Sequence, residues 1–205
     1  MKKHLFFFSL LVPFCVAANA QTAGNDATGV HADNVAPIDI RAVNFYGIDF
    51  SLASAPDVKE HPRQFKNGIV RINDLLYREV LKYDFKKYTG LEILAYNFDV
   101  TGASNDSTDA RLLTSRNRRR EISEADIQKI VASLSTGNDG RFGLVFIAET
   151  LSKASRSGTY RVVCFDEATK QIIYARKVTG KAGGFGVRNF WAASVLDVLK
   201  KWNRR

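Results

Sequence analysis

The stretch GKAGGFGVRNFW, from Gly180 to Trp191, has the residue types and spacing closest to a chemical motif. Glycine-rich loops that lead into a helix bind anions because their backbone N–H groups point at the ligand. Basic side chains at both ends of the loop would add positive charge. The candidate anion- or ligand-binding residues are therefore Lys181, Gly183, Gly184, Gly186 and Arg188.

The same stretch matches neither common nucleotide-binding motif. A phosphate loop needs Lys and then Ser or Thr directly after its last glycine, but Val187 and Arg188 follow Gly186. The dinucleotide motif needs Gly-x-Gly-x-x-Gly, and the glycines here are spaced differently. Glycine also permits positive φ and close packing, here between the last strand and the last helix. We favour this structural interpretation, and we predict no cofactor.

A second candidate site is a cluster of arginines, which comprises Arg111, Arg116, Arg118, Arg119 and Arg120. Such a cluster could contact phosphate groups of lipopolysaccharide, anionic lipid or nucleic acid. Proteins that bind nucleic acid usually add aromatic side chains for base stacking or a reader motif, and this cluster contains neither. We therefore predict no nucleic-acid partner. We favour a solvated basic loop, with contact to an anionic surface as the alternative.

The residues favour a non-catalytic protein. A serine or cysteine nucleophile needs a histidine nearby, and after residue 20 the chain contains only His31 and His61. Cys164 stands between Val163 and Phe165 in a strand-like run, where cysteine usually serves as a small buried apolar residue.

Acidic residues provide the remaining candidates. The run DVTGASNDSTD lacks the spacing and the closing glutamate of a calcium loop, so no metal site is predicted. Ligands of open α/β sheets bind at the carboxyl ends of parallel strands, which by analogy indicates an alternative pocket of Asp49, Ser51, Asp99 and Thr101. A carboxylate pair for glycoside hydrolysis, drawn from Asp49, Asp99 and Glu149, is a third hypothesis.

These candidates depend on a predicted series of strands and helices. Residues 41–52 read as a strand covered on both faces, with Tyr46, Ile48 and Phe50 on one side and Val43 and Phe45 on the other. Apolar residues then recur at helical spacing over about 63–83, and 91–100 supply a second strand. Two strands joined by a helix predict a parallel, right-handed crossover.

The second half of the chain is predicted from local signals. Residues 101–121 lack a period and are expected to form a long loop. Ser123 and Asp126 form a variant capping box that opens a short helix. In RFGLVFIAE, apolar residues fall on both faces of the predicted strand, as in a central strand. A hairpin follows around 166–170. A last helix begins at Val187.

The predicted order is β-α-β-α-β-β-β-α, without an internal repeat. We expect an α+β fold of two or three layers, in which helices pack on one mixed sheet of about five strands.

The N-terminus predicts export. A basic start, an apolar run and small residues before Ala20 form a secretory signal peptide that is cleaved after Ala20. Residues 21–38 are predicted to be a disordered leader, and 39–205 a single domain. Removal of Lys2 and Lys3 lowers the net charge from +9 to +7. Cys164 is then the only cysteine, so the domain cannot form an internal disulfide.

Two long segments, GRFGLVFIAETLSK and the run from Gly158 to Trp202, resemble a family of exported bacterial α/β proteins of unknown function. That family has a first strand of the YGIDFS type and a last helix that begins GGFGxRNFW. More distantly, the layout is similar to envelope domains such as the TolB N-terminal domain and the curli-secretion lipoprotein. The turn of Asp166, Thr169 and Lys170 occupies the position of a strand-pair turn in those domains.

We therefore expect a periplasmic or secreted, non-catalytic domain that contacts another envelope component, with a protein as the partner. A protein that binds a small ligand or an anion is the alternative, and a carboxylate-based hydrolase is the third hypothesis. The sequence leaves the oligomeric state and the identity of the partner open.

Overall fold

The structure is a computed structural model that describes residues 39–117, 121–136 and 141–202. The predicted signal peptide and leader, and Arg118, Arg119 and Arg120, lie outside the described residues. The strands are β1 (Ala42–Asp49), β2 (Glu92–Tyr96), β3 (Phe142–Ser152), β4 (Ser157–Asp166) and β5 (Ile172–Lys181). The helices are α1 (Pro62–Val70), α2 (Ile72–Arg78), α3 (Phe85–Thr89), α4 (Asp99–Ser107), α5 (Ala110–Leu113), α6 (Glu124–Ser133) and α7 (Val187–Lys200).

The five strands form one mixed sheet in the order β2-β1-β3-β4-β5. β1 pairs in parallel with both β2 and β3, and the β3–β4 and β4–β5 pairs are antiparallel. The α+β class, the mixed five-stranded sheet and the parallel β1–β2 crossover are thus confirmed. β3 occupies the central position that its uniformly apolar sequence predicts.

Two apolar cores cover the two faces of the sheet. The larger core contains buried residues of α1, α2, α3 and α7, with Trp191 completely buried against the strands. The smaller core joins Ile127, Ile130 and Val131 of α6 to the opposite face. α6 begins with the predicted capping box, in which the Ser123 hydroxyl accepts from the Asp126 N–H and the Asp126 carboxylate accepts from the Ser123 N–H.

The predicted faces of β1 are correct through Tyr46 and wrong after Gly47. Val43, Phe45 and Ile48 lie in the larger core, whereas Tyr46 lies in the smaller one. The cause is a bulge at Gly47, which has a φ of +80° and coincides with a shift in the β1–β3 register. Because a bulge inserts one residue, it moves every later side chain to the opposite face.

The predicted helix over 63–83 is two helices, α1 and α2. Arg71 separates them, because its ψ of 0° departs from the helical value and interrupts the regular backbone hydrogen bonds. α2 ends at Arg78, before the predicted end.

The predicted strand over 91–100 and the predicted loop over 101–121 are also wrong in part. β2 ends at Tyr96, and the chain then forms α4 and α5. The cause is a set of tertiary contacts. Polar side chains of α2 and α4 form hydrogen bonds with the backbone at the end of β1, where β2 no longer pairs with it. The Thr101 hydroxyl donates to the Tyr46 carbonyl over 2.6 Å, and Asn105 accepts from the Phe50 N–H over 2.6 Å. Asn73 of α2 accepts from the Ile48 N–H over 2.8 Å.

Candidate anion-binding cleft

α1 and the start of α7 approach each other closely at Gly68. A Cβ atom on Gly68 would lie 2.5 Å from Cγ1 of Val187, so no larger residue fits there without a shift of one helix. An open cleft of about 870 Å³ lies beside this contact, since Gly68 and Val187 are both among its lining residues. Ligand sites in proteins have volumes of roughly 300–1,000 Å³, so the cleft can hold a small molecule. Its lining residues are His61, Arg63, Gln64, Asn67, Gly68, Arg71, Phe185, Gly186, Val187, Arg188 and Asn189.

The cleft is rich in positive charge. Arg63 and Arg71 come from α1 and the residue that follows it, Arg188 comes from α7, and no carboxylate is among the lining residues. Within the described part of the chain, none of these three guanidinium groups forms a salt bridge. Arg188 Nε donates to the neutral amide oxygen of Asn189, over 3.3 Å. Three unneutralised guanidinium groups around one concavity raise the local concentration of anions.

The glycine turn that borders this cleft has a defined backbone conformation. Gly184 and Gly186 have φ angles of +102° and +74°, which side-chain-bearing residues rarely adopt. The Gly183 N–H donates to the Phe190 carbonyl, and the Phe190 N–H donates to the Gly186 carbonyl, each over 3.0 Å. These bonds hold the turn against the first turn of α7 and leave the Phe185 side chain 96% exposed.

Gly180 has a separate packing role. A Cβ atom on Gly180 would lie 1.9 Å from the carbonyl oxygen of Ser194, so β5 and α7 touch through their backbones. The conformations of Gly180, Gly184 and Gly186 are those that the structural interpretation of this stretch requires.

The anion-binding residues predicted from the sequence line two different grooves in the structure. Gly186 and Arg188 line the α1–α7 cleft. Lys181 and Gly183 line a different groove of about 330 Å³, together with Arg156 and Lys200. The Lys181 backbone N–H donates to the Asp197 carboxylate over 2.7 Å.

Sequence reasoning missed the contribution of α1. Arg63, Asn67 and Arg71 recur every four residues, and this spacing places them on one face of a helix. That polar stripe, opposite the buried Phe65 and Ile69, was a usable signal for a shared surface. Its connection to Arg188 depends on the contact between α1 and α7 and could not be inferred from local sequence.

The arginine cluster around residues 111–120 is described only in part. Arg111 lines a second cleft of about 590 Å³, which shares His61 and Arg63 with the first. Lys66 also lines this second cleft, but its Nζ donates to the carbonyl oxygens of Asp106 and Thr108. Arg116 is exposed, in the segment after α5.

The residues of the alternative pocket at the strand ends differ in burial and in their hydrogen-bond partners. Thr101 is completely buried and its hydroxyl is bonded to β1, so it serves the fold. Asp49 is buried and accepts from the Ser51 N–H over 2.7 Å. Asp99 is exposed in the first turn of α4.

Glu149, the third acid proposed for hydrolysis, lies in a buried ion-pair network. Its carboxylate accepts from Arg161 Nε over 2.7 Å and lies 2.5 Å from Lys177 Nζ. The Glu149 side chain is only 4% exposed. Oε2 faces Arg161 and Oε1 faces Lys177, so both carboxylate oxygens are engaged in ion pairs within the sheet.

Cys164 is buried in β4, and burial raises the pKa of its thiol to about 12. The reactive thiolate is therefore scarce at neutral pH. Across the described ranges, no group of three or more His, Cys, Asp or Glu side chains is arranged to hold a metal ion. Nor does any helix in these ranges have the length and apolar character needed to cross a membrane.

No family model matches the chain, and no curated protein or solved structure is a match to it. The resemblance to exported α/β proteins and to envelope domains therefore stays a prediction.

Proposed function

We propose that the protein is an exported, non-catalytic binding domain whose α1–α7 cleft binds an anionic group. One observation carries the proposal: Arg63, Arg71 and Arg188 line one cleft, and no Asp or Glu of the described ranges lines it with them. Guanidinium groups pair with phosphate and carboxylate in planar, two-pronged hydrogen bonds, which favours ligands that carry such groups. The amide side chains of Asn67 and Asn189 add neutral hydrogen-bonding groups to the same lining.

A non-catalytic role is supported by how the candidate catalytic groups are placed. The Cys164 thiol is buried, with a raised pKa, and Glu149 is engaged with two cations. His61 lines the cleft without an acidic residue beside it in that lining. A histidine that acts as a base usually needs such a partner to orient it.

A ligand titration tests the anion proposal. The melting temperature and the heat of binding would be measured with phosphate, pyrophosphate, citrate and an uncharged sugar. We expect stabilisation by the anions alone, because a ligand at 100 times its Kd adds about 2.7 kcal/mol to the free energy of unfolding.

The matched variants are Arg63→Ala in the cleft and Arg116→Ala outside it. Arg63→Ala is expected to weaken anion binding about tenfold, since a hydrogen bond to a charged group contributes about 1.5–3 kcal/mol. Arg116→Ala is expected to bind as the parent does, because Arg116 is exposed and does not line this cleft. Equal losses in both variants, or no binding by the parent protein, would contradict the proposal.

Contact with another envelope protein is the second candidate function, and the edge of the sheet favours it. β2 is an edge strand, so one side of its backbone has no neighbouring strand in the sheet. Leu94 on this strand is 47% exposed, and the Tyr77 ring, itself 59% exposed, lies 5.3 Å from the Tyr96 ring. An exposed strand edge flanked by apolar side chains can accept an extended segment of another protein.

A variant of this edge tests the second candidate. Leu94→Lys places a charge on β2, which is expected to abolish the capture of a specific envelope protein by the immobilised domain. Leu112→Ala is the control, because Leu112 is 54% exposed and belongs to α5, not to β2. Capture that survives Leu94→Lys would exclude this edge as the interface.

Export is tested by the N-terminus of the protein isolated from cells. Cleavage after Ala20 predicts a mature chain that begins at Gln21 and is found in the periplasmic or extracellular fraction. A chain that keeps Met1 in the cytoplasmic fraction would refute export and leave the binding proposal standing.

A further inference from the structure

The most exposed large apolar side chain that the structure describes belongs to Phe185. It projects from the tip of the glycine turn, where Gly184 and Gly186 hold φ angles that disfavour other residues. The hydrogen bonds from the Gly183 N–H and to the Gly186 carbonyl fix the base of the turn. The phenyl ring is therefore presented to solvent by a defined backbone and not by a frayed end.

Basic side chains line both grooves to which the glycine turn contributes. Arg63, Arg71 and Arg188 line the α1–α7 cleft, which Phe185 also lines. Arg156, Lys181 and Lys200 line the smaller groove, to which Gly183 of the turn contributes. The one acid among the lining residues of the two is Asp197, whose carboxylate is already bonded to Lys201 and to the Lys181 backbone N–H.

We infer that this end of the molecule docks on an anionic lipid surface, with Phe185 inserted among the headgroups and the cleft arginines bound to lipid phosphates. The inference rests on the proposed anion-binding function and specifies its ligand as a phosphate carried by a bilayer. An exposed aromatic side chain beside a group of basic side chains is an arrangement that binds a negatively charged membrane interface.

The protruding ring distinguishes a lipid surface from a free anion as the ligand. A dissolved phosphate needs only the guanidinium groups and gains nothing from an apolar side chain that is 96% exposed. At a bilayer, the ring leaves water while the cations remain at the level of the phosphates. Both interactions are then made together, and each strengthens the other by raising the effective concentration of its partner.

Vesicle sedimentation tests the inference on the mature chain. The vesicles are phosphatidylcholine alone, or phosphatidylcholine with phosphatidylglycerol as an anionic lipid. We expect binding to the anionic vesicles only, and a loss of about tenfold or more in Phe185→Ala, since burial of a phenylalanine side chain is a large part of interfacial affinity. Leu81→Ala is the matched control, because Leu81 is 92% exposed and lines neither basic cleft.

The soluble-anion titration separates this inference from the proposed function. Glycerophosphate and pyrophosphate should bind equally well to the parent protein and to Phe185→Ala, whereas Arg63→Ala should weaken the binding of both soluble anions and vesicles. Soluble binding without vesicle binding would overturn the membrane inference alone. If the parent protein binds neither glycerophosphate nor pyrophosphate, the proposed function is refuted as well.

A tryptophan reporter makes the insertion itself measurable. Phe185→Trp should show a blue-shifted and stronger emission with anionic vesicles, because its indole would leave water. The parent protein supplies the background, which comes from the completely buried Trp191 and the half-buried Trp202. Vesicle binding without a change in the emission of Phe185→Trp, or equal binding by Phe185→Ala and the parent, would show that the ring does not insert.

Discussion

The α1–α7 cleft and the Glu149 network both concentrate positive charge, but they use it in opposite ways. In the network, Arg161 and Lys177 lie directly opposite each other on β4 and β5, and the buried Glu149 carboxylate contacts both. In the cleft, Arg63, Arg71 and Arg188 have no acid among the lining residues. The cations of the network hold strands together, whereas those of the cleft remain free to bind a ligand.

This difference follows from the geometry of the two regions. In an antiparallel pair, residues directly opposite each other are close enough for like charges to destabilise the sheet. The Arg161–Lys177 pair therefore needs an anion, and Glu149 on β3 supplies it. The arginines of the cleft are exposed, so they remain solvated without an internal partner. A basic residue is a candidate ligand-binding group only where the fold leaves its charge unneutralised.

The largest expected effect comes from removing the acid of the network. Glu149→Gln leaves Arg161 and Lys177 opposed with only the exposed carboxylate of Glu121 near them, at 3.3 Å and 3.7 Å. An exposed carboxylate compensates little for the loss of a buried one, so we expect the free energy of unfolding to fall by about 3 kcal/mol. Urea denaturation measures this loss. Asp99→Asn is the control and should change stability little, because Asp99 is exposed. If Glu149→Gln is as stable as the parent protein, the cations of the network do not need the Glu149 carboxylate, and the contrast with the cleft arginines is wrong.

A second variant tests the contact that positions α7. Gly180→Ala forces a methyl group against the Ser194 carbonyl, and we expect destabilisation of about 2 kcal/mol, measured by urea denaturation. Gly102→Ala, within α4, should be neutral or stabilise by up to about 1 kcal/mol, since its Cβ would meet no atom within 4 Å. Similar stabilities for the two variants would contradict the close backbone approach of β5 and α7.

The next smaller effect is a difference in salt dependence between the open cleft and the Glu149 network. The anion affinity of the cleft should fall severalfold between low ionic strength and about 0.5 M NaCl, because the exposed arginines are screened over a few ångströms at high salt. The penalty of Glu149→Gln should change much less over the same range, because its partners are partly shielded from ions. Calorimetric titration and urea denaturation in matched buffers measure the two quantities. Equal salt dependence would place the cleft charges in a buried environment.

The smallest effect is expected for a carboxylate that is bound by neutral groups. Burial acts to raise the pKa of Asp57, but N–H groups of Ala154 and Lys153 and the Ser152 hydroxyl outweigh it and lower the pKa. The pKa of Asp57 is therefore lower in the folded protein than in the unfolded chain. The charged carboxylate stabilises the fold at pH values above the unfolded pKa, and this stabilisation is lost as the pH falls through the folded pKa.

Asp57→Asn should therefore cost about 1 kcal/mol at pH 7 and progressively less below about pH 4, as measured by thermal unfolding across pH. Asp109→Asn is a comparison variant with fewer partners, since the Asp109 carboxylate accepts from the Arg111 N–H alone. A cost for Asp57→Asn that grows in acid would mean that folding raises the pKa of this carboxyl group instead of lowering it.

The elements that the sequence predicted correctly depend on local signals. The capping box at Ser123 needs only residues three apart, and the β4–β5 hairpin needs only the turn in which the Asp166 carboxylate accepts from the Thr169 N–H. The apolar run of β3 identified a central strand because burial on both faces is independent of strand order.

The wrong predictions concern features that are decided by residues far apart in the chain. The bulge at Gly47 places the glycine against Asn73 and Phe98, so a local alternation pattern could not reveal it. Thr101 and Asn105 looked like loop residues because their hydrogen-bond partners lie on β1. The cleft needed both the polar stripe of α1 and its contact with Val187, and only the first of these is visible in the sequence.

The side chains that bind the edge of β1 have a consequence for how the molecule behaves at high concentration. Beyond Phe45, β1 has no strand on its β2 side, and such a gap would ordinarily invite a foreign strand and the growth of polymers. Asn73 and Asn105 occupy both the N–H and the carbonyl of Ile48, and Asn105 also binds the Phe50 N–H. A strand of another molecule would have to displace both amide side chains before it could pair there. The two asparagines therefore protect this part of the β1 edge from intermolecular pairing.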